Sequence, residues 1–152
     1  MKKKIIIFIA LLGLTNLMCR TSKLDYSTTE AIKTQVSYDK TVGKNIIRVV
    51  KDTLIKEFDE PTFARIKNID FKNGTIEVKV KSRLLKDAPE FARGFIGIAF
   101  RVNNDNSKFE CIYLRPTNGR SENQLRRNRS IQYFSYPDFK FERLRKEAPG
   151  QY

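Results

Sequence analysis

Apolar and polar residues alternate with a period of two in several short stretches of this chain, and turn-forming residues separate the stretches. The clearest is 75–81, where Ile76, Val78 and Val80 alternate with Glu77, Lys79 and Lys81 directly after an Asn73-Gly74 turn signal. It predicts a half-buried strand with the aliphatic side chains inward. Three further strand-like runs follow at 94–102, 108–115 and 131–136. In the first, Ile96, Ile98, Phe100 and Val102 are expected to form a core face. The other face, Phe95, Gly97, Ala99 and Arg101, has two small residues that leave a shallow floor for a backbone or a ligand. The turn formers at 103–107 predict that the first two runs pair as an antiparallel hairpin, and register decides whether Arg101 and Arg115 share a face.

Upstream, 34–38 and 45–50 read as a hairpin around a turn at 39–43, and 62–66 as a short strand. Residues 52–61 read as a loop or a single helical turn, and 139–145 as a strand or a short helix. Many short strands with turn signals between them predict an all-β, antiparallel architecture.

The amino terminus breaks this pattern. Lys2, Lys3 and Lys4 precede the uninterrupted apolar stretch 5–14, which has the length and flanks of an export signal and is short for a membrane span. Cys19 follows, in the place where bacterial lipoproteins carry their lipidated cysteine, although Asn16 and Met18 depart from the usual residues of such a site. Ordinary cleavage nearby and an uncleaved anchor are the alternatives. The expected organisation is a signal peptide at 1–19 with a lipidation site at Cys19, a polar tether at 20–33, and one domain at 34–152. The expected location is the cell envelope, as a membrane-anchored lipoprotein with no membrane contact beyond its anchor.

Composition narrows the chemistry. The 152 residues contain no histidine and two cysteines. That counts against Ser-His-Asp catalysis, a His-activated thiol and His-ligated zinc, and makes Cys111 a small hydrophobe in a strand. The formal charge is +13, of which the three amino-terminal lysines carry three, leaving +10. For an exported domain such a balance points to acidic polysaccharides or phosphorylated surface polymers rather than to nucleic acid. Arg120, Arg126, Arg127 and Arg129 cluster in a turn-rich loop, where a solvated run of charge is favoured over a dedicated anion site.

Gly97-Ile-Ala-Phe-Arg101, Tyr113-Leu-Arg-Pro116, Asn118-Gly119, Gln132-Tyr133 and the upstream Phe71-x-Asn-Gly-Thr-Ile-Glu77 together resemble the concanavalin A-like lectin/glucanase superfamily. Within it the chain is similar to laminin-G-like and 3-keto-disaccharide hydrolase-related domains of exported bacterial proteins, over roughly Val36 to Tyr152. The resemblance implies a jelly-roll β-sandwich of two antiparallel sheets, one concave and able to hold a sugar chain. Such domains usually continue past a Pro-Gly-x-Tyr segment into a Trp-containing strand and a last strand. With Tyr152 as the final residue and no tryptophan, those last strands are expected to be missing.

The related β-glucanases place their carboxylates in a Glu-x-Asp-x-x-Glu pattern. Here Glu57-Phe-Asp59-Glu-Pro-Thr62 has threonine at the last position and a proline inside, so the pattern fails and a solvated acidic loop is favoured. Glu77, Asp105, Glu110, Glu122 and Asp138 form no pair with catalytic spacing. No cofactor is expected. Asn103, Asp105 and Asn106 offer oxygens for calcium, with a plain polar loop preferred. Carbohydrate binding needs rings to stack on sugars and planar polar groups to bridge hydroxyls. Arg101, Tyr113, Arg115, Asn118, Gln132, Tyr133 and Tyr136 supply these, and are the expected ligand-binding residues. The first expectation is therefore a lectin-like module for an oligo- or polysaccharide, acidic in view of the charge. A glycoside hydrolase and a basic cell-surface interaction domain are the alternatives, and the reading leans against an enzyme.

Overall fold

The structure, a computed structural model, describes residues 25–39, 46–58 and 60–151. The export signal, Cys19 and the first residues of the tether lie outside the described residues, as does Asp59. The chain divides between Asp70 and Phe71 into two compact units. The fold is β-rich: every sheet is antiparallel, and the helices are short.

In the first unit, β1 (Thr29–Ile32) pairs with β4 (Phe63–Ile66), and β2 (Thr34–Asp39) pairs with β3 (Ile46–Lys51). The β2–β3 hairpin and the β4 strand agree with the alternation read from the sequence. Along β2, Thr34, Val36 and Tyr38 are half-buried while Gln35, Ser37 and Asp39 are exposed. β1 lies within the stretch read as a tether. Polar composition suggested a flexible leader, yet Glu30 and Ala31 sit opposite Arg65 and Ala64 in a paired ladder. Lys33, in the left-handed region with φ 50°, separates β1 from β2, and its ammonium pairs with Glu60.

The second unit is built on a three-stranded sheet in the order β5–β6–β7, with β5 at Ile96–Phe100, β6 at Phe109–Leu114 and β7 at Ile131–Tyr136. All three strands lie where alternation placed them. Between β6 and β7 run two single-turn helices, α1 (Pro116–Gly119) and α2 (Gln124–Arg127), and α3 (Phe141–Glu147) follows β7.

Register assigns each residue a face. Ala99, Cys111 and Phe134 are neighbours on one face, as are Gly97, Tyr113 and Gln132. That face carries an aromatic column: Phe109 stacks on Tyr136 at 5.2 Å, Phe134 meets Phe109 and Tyr113 edge-on at 5.6 Å, and Phe95 meets Tyr113 at 5.4 Å. Phe109 is one of two buried apolar side chains among the described residues, the other being Leu144 of α3.

Two expectations about the core are corrected here. Ile96, Ile98, Phe100 and Val102 are only half-buried, and on their face Ile112 and Ile131 remain 52% and 64% exposed. The more buried face is the one with the small residues, because Gly97 and Ala99 leave room for the rings of the column. The second correction concerns 75–81, which forms no strand; Ile76, Val78 and Val80 are exposed. Alternation decides which side of a strand would face a core but supplies no neighbour to complete its ladder, and neither edge of the sheet takes up this segment.

Gly97 is where the column demands a glycine. A Cβ there would lie 2.2 Å from the Ile112 carbonyl oxygen and 2.6 Å from Tyr113 Cα, both backbone atoms that cannot move aside. Gly97→Ala is expected to destabilise the second unit by about 1–3 kcal/mol, the usual range for overpacking. Urea unfolding followed by tyrosine fluorescence checks this, and an unchanged midpoint would show that the β5–β6 contact is looser than described.

Candidate functional site

The site begins where β6 ends. Alternation along β6 sets Phe109, Cys111 and Tyr113 on the column face, and the Arg115 amide, donating to the Ser130 carbonyl at 2.8 Å, prolongs the ladder beyond Leu114. Arg115 therefore follows Tyr113 on the same face. Pro116 ends the strand and opens α1.

Three of the expected ligand residues then form one chain of hydrogen bonds. Arg115 Nη2 donates to Tyr113 Oη at 3.0 Å, and Tyr113 Oη donates to Gln132 Oε1 at 2.8 Å. The Arg115 guanidinium also lies 5.6 Å from the Phe95 ring centre and 5.5 Å from that of Tyr113. Arg115 is only 8% exposed, and its Nε is buried with no hydrogen-bond partner. A cation withdrawn from water without an acid beside it is costly, and an unmet donor on it adds to that cost.

Beside Arg115 lies a cavity of about 210 Å³. Arg93, Arg126, Arg129 and Arg145 line it together with Arg115, as do Asn118, Asn123 and Leu125, and no carboxylate does. Among the described residues, none of the five arginines takes part in an ion pair. Asn118, 4% exposed, holds the wall in place: its Nδ2 donates to the Arg129 carbonyl at 3.2 Å, and its Oδ1 accepts from Arg126 Nη2 at 3.5 Å. Asn123 Oδ1 caps α2 by accepting from the Arg126 amide at 3.1 Å. The expected solvated run is thereby split. Arg126 and Arg129 face the cavity, whereas Arg127 donates to the carbonyls of Ser121 and Glu122. Arg93 and Arg145 were not legible as site residues, since they come from a connector and from α3 and only folding brings them to this wall.

The remaining expected residues lie elsewhere. Arg101, at φ 53°, is exposed and donates to Glu110 Oε1 at 2.7 Å, while Tyr133 Oη donates to Glu110 Oε2 at 2.8 Å. This trio belongs to the opposite face and the opposite end of the sheet from Arg115, so register does not bring Arg101 and Arg115 together. Tyr136 stacks in the column, with the Lys140 ammonium 5.6 Å from its ring centre. With Arg101 and Glu110 it borders a second cavity of about 300 Å³.

The acidic loop and the calcium candidate are engaged in local structure. Glu60 pairs with Lys33. Asp105 accepts from the amide and hydroxyl of Ser107, bonds that hold its carboxyl below the usual range, and Asn103 Oδ1 accepts from the Lys108 amide. Among the described residues no cluster of carboxylate or thiol ligands could hold a metal ion.

Compared with protein-family models, with curated proteins and with solved structures, the chain matches none.

Two predictions concern the titrating groups of this sheet. The hydrogen bonds from Arg101 and Tyr133 hold the Glu110 carboxyl below its ordinary value. A depressed carboxylate contributes stability above its unfolded pKa and loses it as pH falls through the folded value. Glu110→Gln should therefore be less stable than the parent at neutral pH, and the gap should close on acidification below about pH 4; thermal melts across that range check it. Burial pushes the Cys111 thiol up to about 11. Alkylation by iodoacetamide at pH 7.5 should thus be slow at Cys111 in the folded protein and fast in denaturant, as read by mass spectrometry of the Cys111 peptide.

Proposed function

We propose that this chain is an exported, non-catalytic binding module of the lectin-like kind, taking an acidic oligo- or polysaccharide. The observation that carries this reading is the meeting of Tyr113, Arg115, Asn118 and Gln132 at one end of the sheet, beside a cavity walled by five arginines. Rings and planar amides suit sugar faces and hydroxyls, and guanidinium groups suit the acidic substituents of a glycan. The basic, then apolar amino terminus and Cys19 support export and anchoring at the cell envelope. Under this proposal the antiparallel sheets belong to a concanavalin A-like jelly roll, as the motif resemblance suggests.

The site residues divide accordingly. Arg115, Tyr113, Gln132 and Asn118 serve the ligand, while Arg101, Tyr133 and Tyr136 serve the opposite face and the far end of the sheet. A basic cell-surface interaction domain is the second reading, favoured by a net charge that stays at +10 without the three amino-terminal lysines.

Glycan-array binding separates these readings. Arg115→Ala should lose about tenfold or more in affinity for acidic glycans, in keeping with the loss of a charge-assisted hydrogen bond, while Arg101→Ala stays near the parent. An equal, salt-sensitive loss in both variants across all polyanions would favour the interaction domain. Release of reducing sugar that a carboxylate substitution abolishes would overturn the non-catalytic reading in favour of a hydrolase.

A further inference from the structure

The arginine-walled cavity also says what chemical group it takes. We infer that it binds a phosphate group, as a phosphate monoester or as inorganic phosphate, with Arg115, Arg126 and Arg129 as its principal donors. This rests on the reading that the ligand of this chain sits at this cavity, and it does not require that ligand to be a glycan.

Charge and acceptor number decide between the candidate anions. Arg93, Arg115, Arg126, Arg129 and Arg145 line the cavity with no carboxylate among them. A carboxylate brings one negative charge and two oxygens. A phosphate monoester brings about −1.5 to −2 at pH 7 and three acceptor oxygens, so it offsets more of the mutual repulsion and engages more of the donors. A sulfate ester has the oxygens but only a single charge. Arginine is suited to this task, because its planar fork matches phosphate geometry and it stays charged when withdrawn from water.

Two features favour an anion at this wall. Arg115 is more than nine-tenths buried in a wall that offers it no acid, so a bound anion supplies the countercharge that the fold does not. Arg126 is exposed and donates to Asn118 Oδ1 at 3.5 Å, so its other donors are open to an anion at the cavity.

Isothermal titration of the full chain in low salt tests the inference, with inorganic phosphate, glucose 6-phosphate, glucose 6-sulfate, glucuronate and glucose as probes. The expected result is saturable phosphate binding, stronger than that of glucose 6-sulfate or glucuronate. It should weaken as pH falls from about 7 to 5, because the phosphate second pKa is about 6 and arginine does not titrate there. Arg126→Gln and Arg129→Gln, both outside the aromatic column, should each weaken it about tenfold with an unchanged circular dichroism spectrum. Tighter binding of glucose 6-phosphate than of inorganic phosphate would identify a phosphorylated sugar as the source, and equal binding would identify free phosphate.

Absence of saturable phosphate binding, glucuronate binding as tight as phosphate, or full binding by both folded variants would each overturn the inference. Acidic-glycan binding without phosphate binding would sink this inference and leave the lectin-like reading standing. Phosphate binding without any glycan binding would do the reverse.

Discussion

A guanidinium taken out of water without an acid beside it costs several kcal/mol unless its surroundings compensate, and Arg115 is in that position. Its compensation is partial. Tyr113 accepts one hydrogen bond, the rings of Phe95 and Tyr113 offer their faces, and Nε is left unmet. Much of the second unit can be understood as the scaffold this requires. Tyr113 can receive Arg115 because Gln132, its register partner, takes the phenolic proton in turn. Phe95 and Tyr113 can lie edge to face because Gly97 leaves the strand bare beneath them. A carboxylate beside Arg115 would neutralise it within the fold.

The two faces of the three-stranded sheet handle charge in opposite ways. On the face of Glu110, the acid is answered within the fold: Arg101 and Tyr133 each give it a hydrogen bond, and the ensemble is nearly neutral. An exposed pair of this kind contributes little to stability and asks nothing of a partner. At the Arg115 end of the sheet, five arginines line one cavity and no acid does. Sequence composition treats Arg101 and Arg115 alike, as arginines near strand ends. Their environments make one an exposed ion pair and the other a buried cation with no acid beside it.

What could be read in the sequence follows from what alternation encodes. A period of two located β2, β4, β5, β6 and β7, because each is a short run of β-branched or aromatic residues between turn formers. The same signal failed at 75–81, since a ladder depends on a neighbour whose identity is not local. It also assigned the core to the aliphatic side of β5. Side-chain size across the sheet reversed that choice, because small residues on β5 make room for large ones on β6 and β7. Of the site, Tyr113, Arg115, Asn118 and Gln132 were legible as a set of glycan-type residues. The arginine wall was legible only in part: Arg126 and Arg129 stood out as a cluster, but Arg93 and Arg145 lie far from them in sequence and carry no pattern of their own.

The net charge and the cavity act at different stages of recognition. A basic surface attracts any polyanion, raising the rate of encounter, and salt screens that attraction within about a Debye length. Discrimination needs donors fixed in advance in a place from which water is largely excluded, where each charged hydrogen bond is stronger and a misplaced acceptor costs more. The column holds Arg115, 8% exposed, while Arg126 and Arg145 of the same wall are exposed, so a buried and a solvated guanidinium meet at one location. Glycoside hydrolysis asks for something different, a pair of carboxylates on either side of the scissile bond. A wall of guanidinium groups cannot donate and recover a proton near neutral pH. The chemistry of this cavity suits an anion, which supports the proposed binding reading alongside the motifs that first suggested it.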